Sequence, residues 1–132
     1  MRLWIAVAVL VAVGIAQAVE STDSIFNRLA EVHQFAFGPT GYAGVISQGE
    51  KDYKIVLSRS SAMEDFEKLY SVGNPQAKCY ALVGIRKLSP SRFKEISDSL
   101  RSSRAQVVTE RGCIVDHESF AAILKRIEAG QY

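Results

Sequence analysis

The sequence predicts a mainly α-helical domain, a small stack of helices around one central buried helix with a β-hairpin-like segment near residues 105–116. Over most of the chain, apolar residues recur at spacings of three and four, which is the helical period. Several of these stretches begin with serine or asparagine, and two of those residues are followed by proline. Near 105–116 β-branched residues replace the helical pattern, so an α+β fold is the alternative.

The first eighteen residues are typical of a secretory signal peptide. Arg2 supplies a positive start, residues 3–15 are apolar without interruption, and Ala16-Gln17-Ala18 places small residues where a signal peptidase reads. The apolar run is shorter than the roughly 20 residues of a membrane-spanning helix. We therefore expect cleavage after Ala18, one globular domain over 19–132, and no stable membrane anchor after cleavage.

Composition narrows the classes of partner. The formal net charge is only +2, so the chain has no strong field that would draw it to nucleic acid or to an anionic membrane. An exported location, in the periplasm or outside the cell, is expected from the signal peptide. The short chain without an N-x-S/T glycosylation site favours a bacterial source.

Two cysteines, Cys79 and Cys113, follow the predicted cleavage site. Because oxidising compartments permit disulfides, we expect a bond between them, which the loop-entropy model values at about 4 kcal/mol. The alternative is two buried free thiols. With two histidines and no close pair of ligands, these cysteines do not form a structural zinc site, and no cofactor motif is present.

The first element is a helix whose apolar face carries Ile25, Leu29 and Val32, with possible N-caps at 21–23 and an end near His33 or Gln34. The glycine- and proline-rich stretch 35–44 then predicts a compact loop.

Residues 42–57 have two interpretations. They can form a β-hairpin around 48–51, because Tyr, Ile and Val favour strands. Alternatively Ser47 caps a helix, since Glu50 follows at the spacing of a capping box. Agreement with the helical stretches that follow favours the helix.

Four further helices are predicted, with a β segment before the last. Ser61 starts a helix that Gly73 ends, and Asn74-Pro75 starts the central helix, which runs through Leu88 and is apolar on most sides. Ser89-Pro90 begins an amphipathic helix. Residues 106–109 and 113–115 then indicate a small hairpin or two extended segments, and Ser119 caps a last helix that Gly130 ends.

The back-to-back units 74–88 and 89–101 resemble one helical hairpin of a HEAT or armadillo-like repeat. Residues 73–77, which lead into the apolar stretch 80–85, carry this resemblance. The resemblance implies a small helical stack that binds another protein on one face. It supplies no functional residue.

Two surfaces are candidate binding sites. Phe37 and Tyr42 lie in the 35–44 loop, where they form either a recognition surface or part of the core. Arg86 and Lys87 belong to a locally basic stretch that either meets an acidic partner or is simply solvated.

Candidate catalytic groups are weaker. Asp116-His117-Glu118-Ser119 brings an acid, a base and a nucleophile together in sequence, but consecutive residues do not point at one another, so a turn and a helix N-cap are favoured. His33 is expected to complement the end of the first helix rather than to act in catalysis.

These observations favour a non-catalytic protein-binding module whose partner is another protein. A periplasmic inhibitor or immunity-type protein against a toxin or hydrolase is one alternative. A small hydrolase or thiol redox protein that uses His117 or the cysteine pair is the other. The sequence leaves the oligomeric state open.

Overall fold

A computed structural model describes residues 24–132. The predicted signal peptide and the N-caps predicted at 21–23 lie outside these residues. The described part is mainly helical, 57% of it in six helices, with two small antiparallel hairpins. The predicted fold class is therefore confirmed.

The elements follow one another with short connections. The first helix, α1, covers 24–30 in the described part and ends a few residues earlier than predicted. The later elements are, in chain order, β1 (Pro39–Thr40), β2 (Val45–Ile46), α2 (Gln48–Leu57), α3 (Ala62–Val72), α4 (Pro75–Leu88), α5 (Pro90–Leu100), β3 (Gln106–Arg111), β4 (Ile114–Ser119) and α6 (Phe120–Glu128).

Helix α2 resolves the ambiguity at 42–57. The Ser47 side chain accepts a hydrogen bond from the Glu50 backbone N–H at 3.2 Å, so the predicted cap is present and the hairpin around 48–51 is wrong. The strand preference of Val45–Ile46 is instead satisfied by pairing with Pro39–Thr40. Glu50 does not complete the capping box, because its carboxylate accepts from the Gly38 N–H and pairs with Lys54.

Helix α4 is the centre of the fold, as predicted. It packs against α2, α3, α5, α6 and β3, and its residues are buried from Cys79 through Ile85. Asn74 starts it by accepting from the Ala77 N–H at 2.9 Å, and the same side chain donates to the Val32 carbonyl at 2.8 Å. One cap therefore also fixes the chain that leaves α1.

Three residues that were predicted to cap the beginning or the end of a helix act differently. Gly73 has a φ of −74° rather than a left-handed conformation, and its Cα faces Ala77 so closely that a Cβ would lie 2.6 Å from the Cβ of that residue. Glycine is needed there for space. Ser61 and Ser89 make no side-chain cap bond, and the Ser61 hydroxyl donates to the Asp65 carboxylate instead.

The predicted β segment is a regular hairpin in which Gln106 pairs with Ser119 and Arg111 with Ile114. Gly112, at a φ of +57°, forms its turn together with Cys113. The turn predicted at 116–118 is wrong, because these residues continue β4. Ser119 is the N-cap of α6, as predicted, and accepts from the Ala122 N–H at 3.2 Å.

The two hairpins are joined into one layer. The Phe35 N–H donates to the Val108 carbonyl at 2.8 Å, and the Glu110 N–H donates to the Phe35 carbonyl at 3.2 Å. Farther along, the Gly41 N–H donates to the Gly112 carbonyl at 2.8 Å. The 35–41 segment therefore covers one edge of β3, β4 covers the other, and β4 itself is an outer strand.

Both cysteines are free thiols, contrary to the predicted Cys79–Cys113 disulfide. Cys79 is fully buried within α4, where desolvation raises the pKa of its thiol. Cys113 is exposed in the β3–β4 turn. A bond would require the exposed turn to enter the core at the central helix.

Candidate functional site: an apolar end formed by two hairpin tips

The tips of the two hairpins carry exposed apolar residues at the same end of the molecule, which we call the hairpin end. It consists of Tyr42, Val45, Ile114 and Val115. Tyr42 is fully exposed, and the aliphatic side chains are 55%, 71% and 52% exposed respectively. The Gly41–Gly112 backbone hydrogen bond holds the two tips side by side, although they are distant in sequence.

The first tip projects Tyr42 by means of its backbone geometry. Gly41 and Gly44 have φ angles of +70° and +63°, a left-handed region that other residues seldom adopt. The Gly44 N–H donates to the Gly41 carbonyl at 3.2 Å, and the Thr40 hydroxyl donates to the Val45 carbonyl at 2.9 Å. These bonds leave the Tyr42 ring at the outermost point of the turn.

The base of this tip is held by a buried tyrosine. The Tyr80 hydroxyl accepts from the Ala36 N–H at 3.1 Å and donates to the Ala36 carbonyl at 2.8 Å. Two residues on, the Glu50 carboxylate accepts from the Gly38 N–H at 2.8 Å. Helices α4 and α2 therefore fix the segment that leads into the tip, and the surface is preorganised rather than loose.

The two predicted loop aromatics have different roles. Phe37 is half-buried, and its ring centroid lies 5.2 Å from that of Tyr53 and 5.4 Å from those of Tyr80 and Tyr132. Aromatic rings at such distances stabilise a core. Phe37 therefore supports the loop, whereas Tyr42 is available to a partner.

A cleft of about 190 Å³ opens beside β3, lined by Phe35, Phe37, Arg126 and Tyr132 among others. Its buried charge is balanced. Arg126 donates to the Glu118 carboxylate at 2.8 Å, and the hydrogen bond from that guanidinium lowers the pKa of Glu118. Glu118 also accepts from the Thr109 hydroxyl at 2.6 Å. Of the groups that line this cleft, Arg126 and Thr109 therefore both bond to Glu118, whereas the Arg126 Nε atom is buried without a described hydrogen-bond partner.

Arg86 and Lys87 make local contacts at the end of α4. The Arg86 guanidinium lies against Gly130, and the Lys87 ammonium lies 5.8 Å from the centroid of the Tyr53 ring. In the described part of the chain, no hydrogen bond, ion pair or ring contact joins either residue to the hairpin end. The structure therefore does not bring the four predicted binding residues into one site.

The acid-base cluster on β4 is not assembled. Asp116 and His117 are both exposed, and neighbours in a strand point to opposite faces. Glu118 is occupied by Arg126 and Thr109. Within residues 24–132, no group of three or more His, Cys, Asp or Glu side chains is arranged to hold a metal ion.

His33 lies in a second cleft, of about 300 Å³, whose main feature was not anticipated from sequence. There the carboxylate of Asp52, only 1% exposed, accepts from two nitrogens of Arg28 at 2.6 and 2.7 Å and from Gln48 at 2.9 Å. This ion pair ties α1 to α2. The Asp52 carboxylate is therefore fully engaged, and the exposed side chains of Glu31 and His33 line the same cleft.

Comparison with known proteins adds no family. No protein-family model, curated protein or solved structure matches the chain. The resemblance of residues 73–101 to a HEAT-like hairpin stays an interpretation, although α4 and α5 do pack together. None of the helices described between residues 24 and 132 has both the length and the apolar character needed to cross a membrane.

Proposed function

We propose that this chain is an exported, non-catalytic protein-binding module that contacts its partner protein through the hairpin end. One observation carries the proposal. Tyr42 and Ile114, large apolar side chains at two separate tips, are both presented to solvent, and the backbones of the two tips are hydrogen-bonded to each other. Large apolar groups exposed near one another mark interaction surfaces more often than isolated ones do.

The chemistry of the hairpin end suits a protein partner. Tyrosine is enriched among the residues that dominate binding energy, because it combines a large contact area with a hydroxyl and loses little conformational entropy. Fixing the tip in advance, through the Tyr80–Ala36 and Glu50–Gly38 hydrogen bonds, lowers the ordering cost that association must overcome.

The enzymatic alternative gains no comparable support. His117 lacks a described partner other than the Asp116 carboxylate, which bonds to its backbone rather than to its ring. A thiol redox function needs two accessible cysteines, and Cys79 is buried. An inhibitor or immunity-type protein is one form of the binding proposal, and the identity of the partner would decide it.

The test is a comparative pull-down. The chain without residues 1–18 is immobilised, exposed to a bacterial envelope extract, and compared with the double variant Tyr42→Ser, Ile114→Ser. The matched control is Ile55→Ser, Val72→Ser, which alters exposed aliphatics on α2 and α3.

We expect a partner whose capture falls about tenfold or more in the first variant and is unchanged in the control. Circular dichroism verifies that both variants fold. If the hairpin-end variant retains every protein that the native chain captures, the proposal is wrong.

A further inference from the structure

In the part of the chain that the structure describes, the outer edge of β4 has backbone groups without a strand to pair with. The Phe120 N–H donates to the Ala105 carbonyl at 2.9 Å, and hydrogen-bonded pairs alternate along an antiparallel ladder. The pairs 107–118, 109–116 and 111–114 are therefore the bonded ones. It follows that the N–H and C=O groups of Val115 and His117 point away from β3.

The opposite edge of the sheet agrees with this assignment. The Val108 carbonyl and the Glu110 N–H both bond to Phe35, so β3 directs these groups away from β4. The backbone groups of alternate β3 residues thus bond in turn to β4 and to the segment that contains Phe35. Among residues 24–132, no backbone hydrogen bond to the outer groups of β4 is found.

One of the outward backbone N–H groups of β4 bonds to a side chain instead of a neighbouring strand. The Asp116 carboxylate accepts the His117 N–H at 2.7 Å, where a neighbouring strand would place a carbonyl oxygen. The carboxylate of Asp116, exposed on the strand, has no ion pair in the described part of the chain. An incoming strand that took over the His117 N–H would release this carboxylate to face a cation.

The composition of β4 protects the edge only in part. Exposed edge strands usually carry charged residues, above all lysine, or a proline or a bulge, which discourage pairing with other chains. β4 has no lysine, proline or bulge, and its charged residues are Asp116 and Glu118, of which Glu118 is paired with Arg126. Ile114 and Val115 at its start are exposed. The edge is also continuous with the hairpin end, to which these two residues belong.

Charge argues against a second copy as the occupant. In an antiparallel pair of β4 strands, the outward groups of one copy must meet those of the other. The two such registers that overlap most of the strand place Asp116 opposite Asp116 or opposite Glu118. Like charges directly opposite each other destabilise a sheet.

We propose that β4 accepts an extended segment of the partner protein as an additional β-strand, with a basic side chain of that segment opposite Asp116. This inference rests on the proposed function and specifies its binding mode. Main-chain bonds to Val115 and His117 supply the pairing, and Ile114, Val115 and Asp116 supply the selectivity.

The probe is a short synthetic peptide of alternating valine and threonine with one central arginine. It is added to isotope-labelled protein, and amide hydrogen exchange is followed by NMR. Two comparison peptides carry aspartate in place of arginine, or N-methyl groups on the backbone nitrogens that would face β4.

We expect slowed exchange at the Val115 and His117 amides with the arginine peptide and none with the N-methylated one. The arginine peptide should bind about fivefold or more tightly than the aspartate peptide, since cross-strand charge pairs are worth up to about 1 kcal/mol each way. Asp116→Lys should reverse this preference, whereas Glu64→Lys, on α3, should preserve it.

Three outcomes overturn the inference. No binding of the arginine peptide at millimolar concentration excludes strand addition, as does binding that leaves the Val115 and His117 amides unprotected. Protection that grows with protein concentration alone instead identifies a second copy as the occupant. In each case the pull-down can still succeed, so the two proposals fail separately.

Discussion

Removal of one buried hydroxyl should show how much the hydrogen bonds beneath the hairpin end contribute to stability, apart from the packing of the core. Tyr80→Phe deletes the group that bonds to both the N–H and the carbonyl of Ala36. Tyr53→Phe is a matched control, because the Tyr53 hydroxyl is buried without a described hydrogen-bond partner and the two rings lie 6.0 Å apart.

The expected cost follows from what Ala36 loses. Its N–H becomes a buried donor without a partner, which costs about 1–3 kcal/mol. Its carbonyl keeps a weaker bond from the Ser47 hydroxyl at 3.4 Å. We therefore expect Tyr80→Phe to lower the free energy of unfolding by about 2 kcal/mol. Tyr53→Phe should be neutral or stabilising by up to about 1 kcal/mol, because it removes an unpaired buried hydroxyl.

Urea unfolding followed by circular dichroism measures both changes. With a slope of roughly 1–2 kcal/mol per molar urea, Tyr80→Phe should move the midpoint down by about 1–2 M. Tyr53→Phe should leave the midpoint unchanged or raise it. Equal losses in the two variants would refute the argument, since they would assign the effect to ring packing and not to the Ala36 bonds.

Three further predictions concern the core. Burial raises the pKa of Tyr53 from 10.0 to about 12, so the folded state favours the neutral phenol. The stability that this preference contributes is complete below about pH 10 and is lost as the pH rises toward 12. The free energy of unfolding, measured across this range, should therefore decline less steeply in Tyr53→Phe. A thiol reagent should modify Cys113 in the native protein and Cys79 only after unfolding, and two unreactive cysteines in denaturant would instead establish the disulfide. Gly84→Ala would place a Cβ against the Phe66 ring and should cost about 1–3 kcal/mol in urea unfolding, whereas a gain of up to about 1 kcal/mol, typical of a free helix position, would contradict the packing.

Local signals in the sequence predicted the helices well. The caps at Ser47, Asn74 and Ser119 depend on residues within one helical turn, so the sequence contains all that is needed to infer them. Gly73 was predicted to end α3 through a left-handed backbone conformation, but glycine is needed there because Ala77 leaves no room for a Cβ. The sequence pattern around Gly73 does not reveal this contact. The length of β4 was underestimated because 116–118 are polar residues that also suit turns.

The candidate site depends on contacts that no local pattern encodes. Phe37 and Tyr42 are similar side chains in one loop, and only the distant rings of Tyr53 and Tyr80 decide which of them is buried. The Gly41–Gly112 bond that joins the tips links residues in different hairpins. The ion pair between Arg28 and Asp52 was missed for the same reason.

Because the 35–41 segment covers an edge of β3, the hairpin end can assemble only after β3 has been translated. This segment is translated early, yet its partners Tyr80, Val108 and Gly112 emerge from the ribosome much later. A nascent chain that stops before 105 has the sequence of helices α1 to α5 but cannot assemble the hairpin end. The surface to which we assign binding is therefore acquired only after residues 105–115 have been synthesised, and a product terminated before them would lack it.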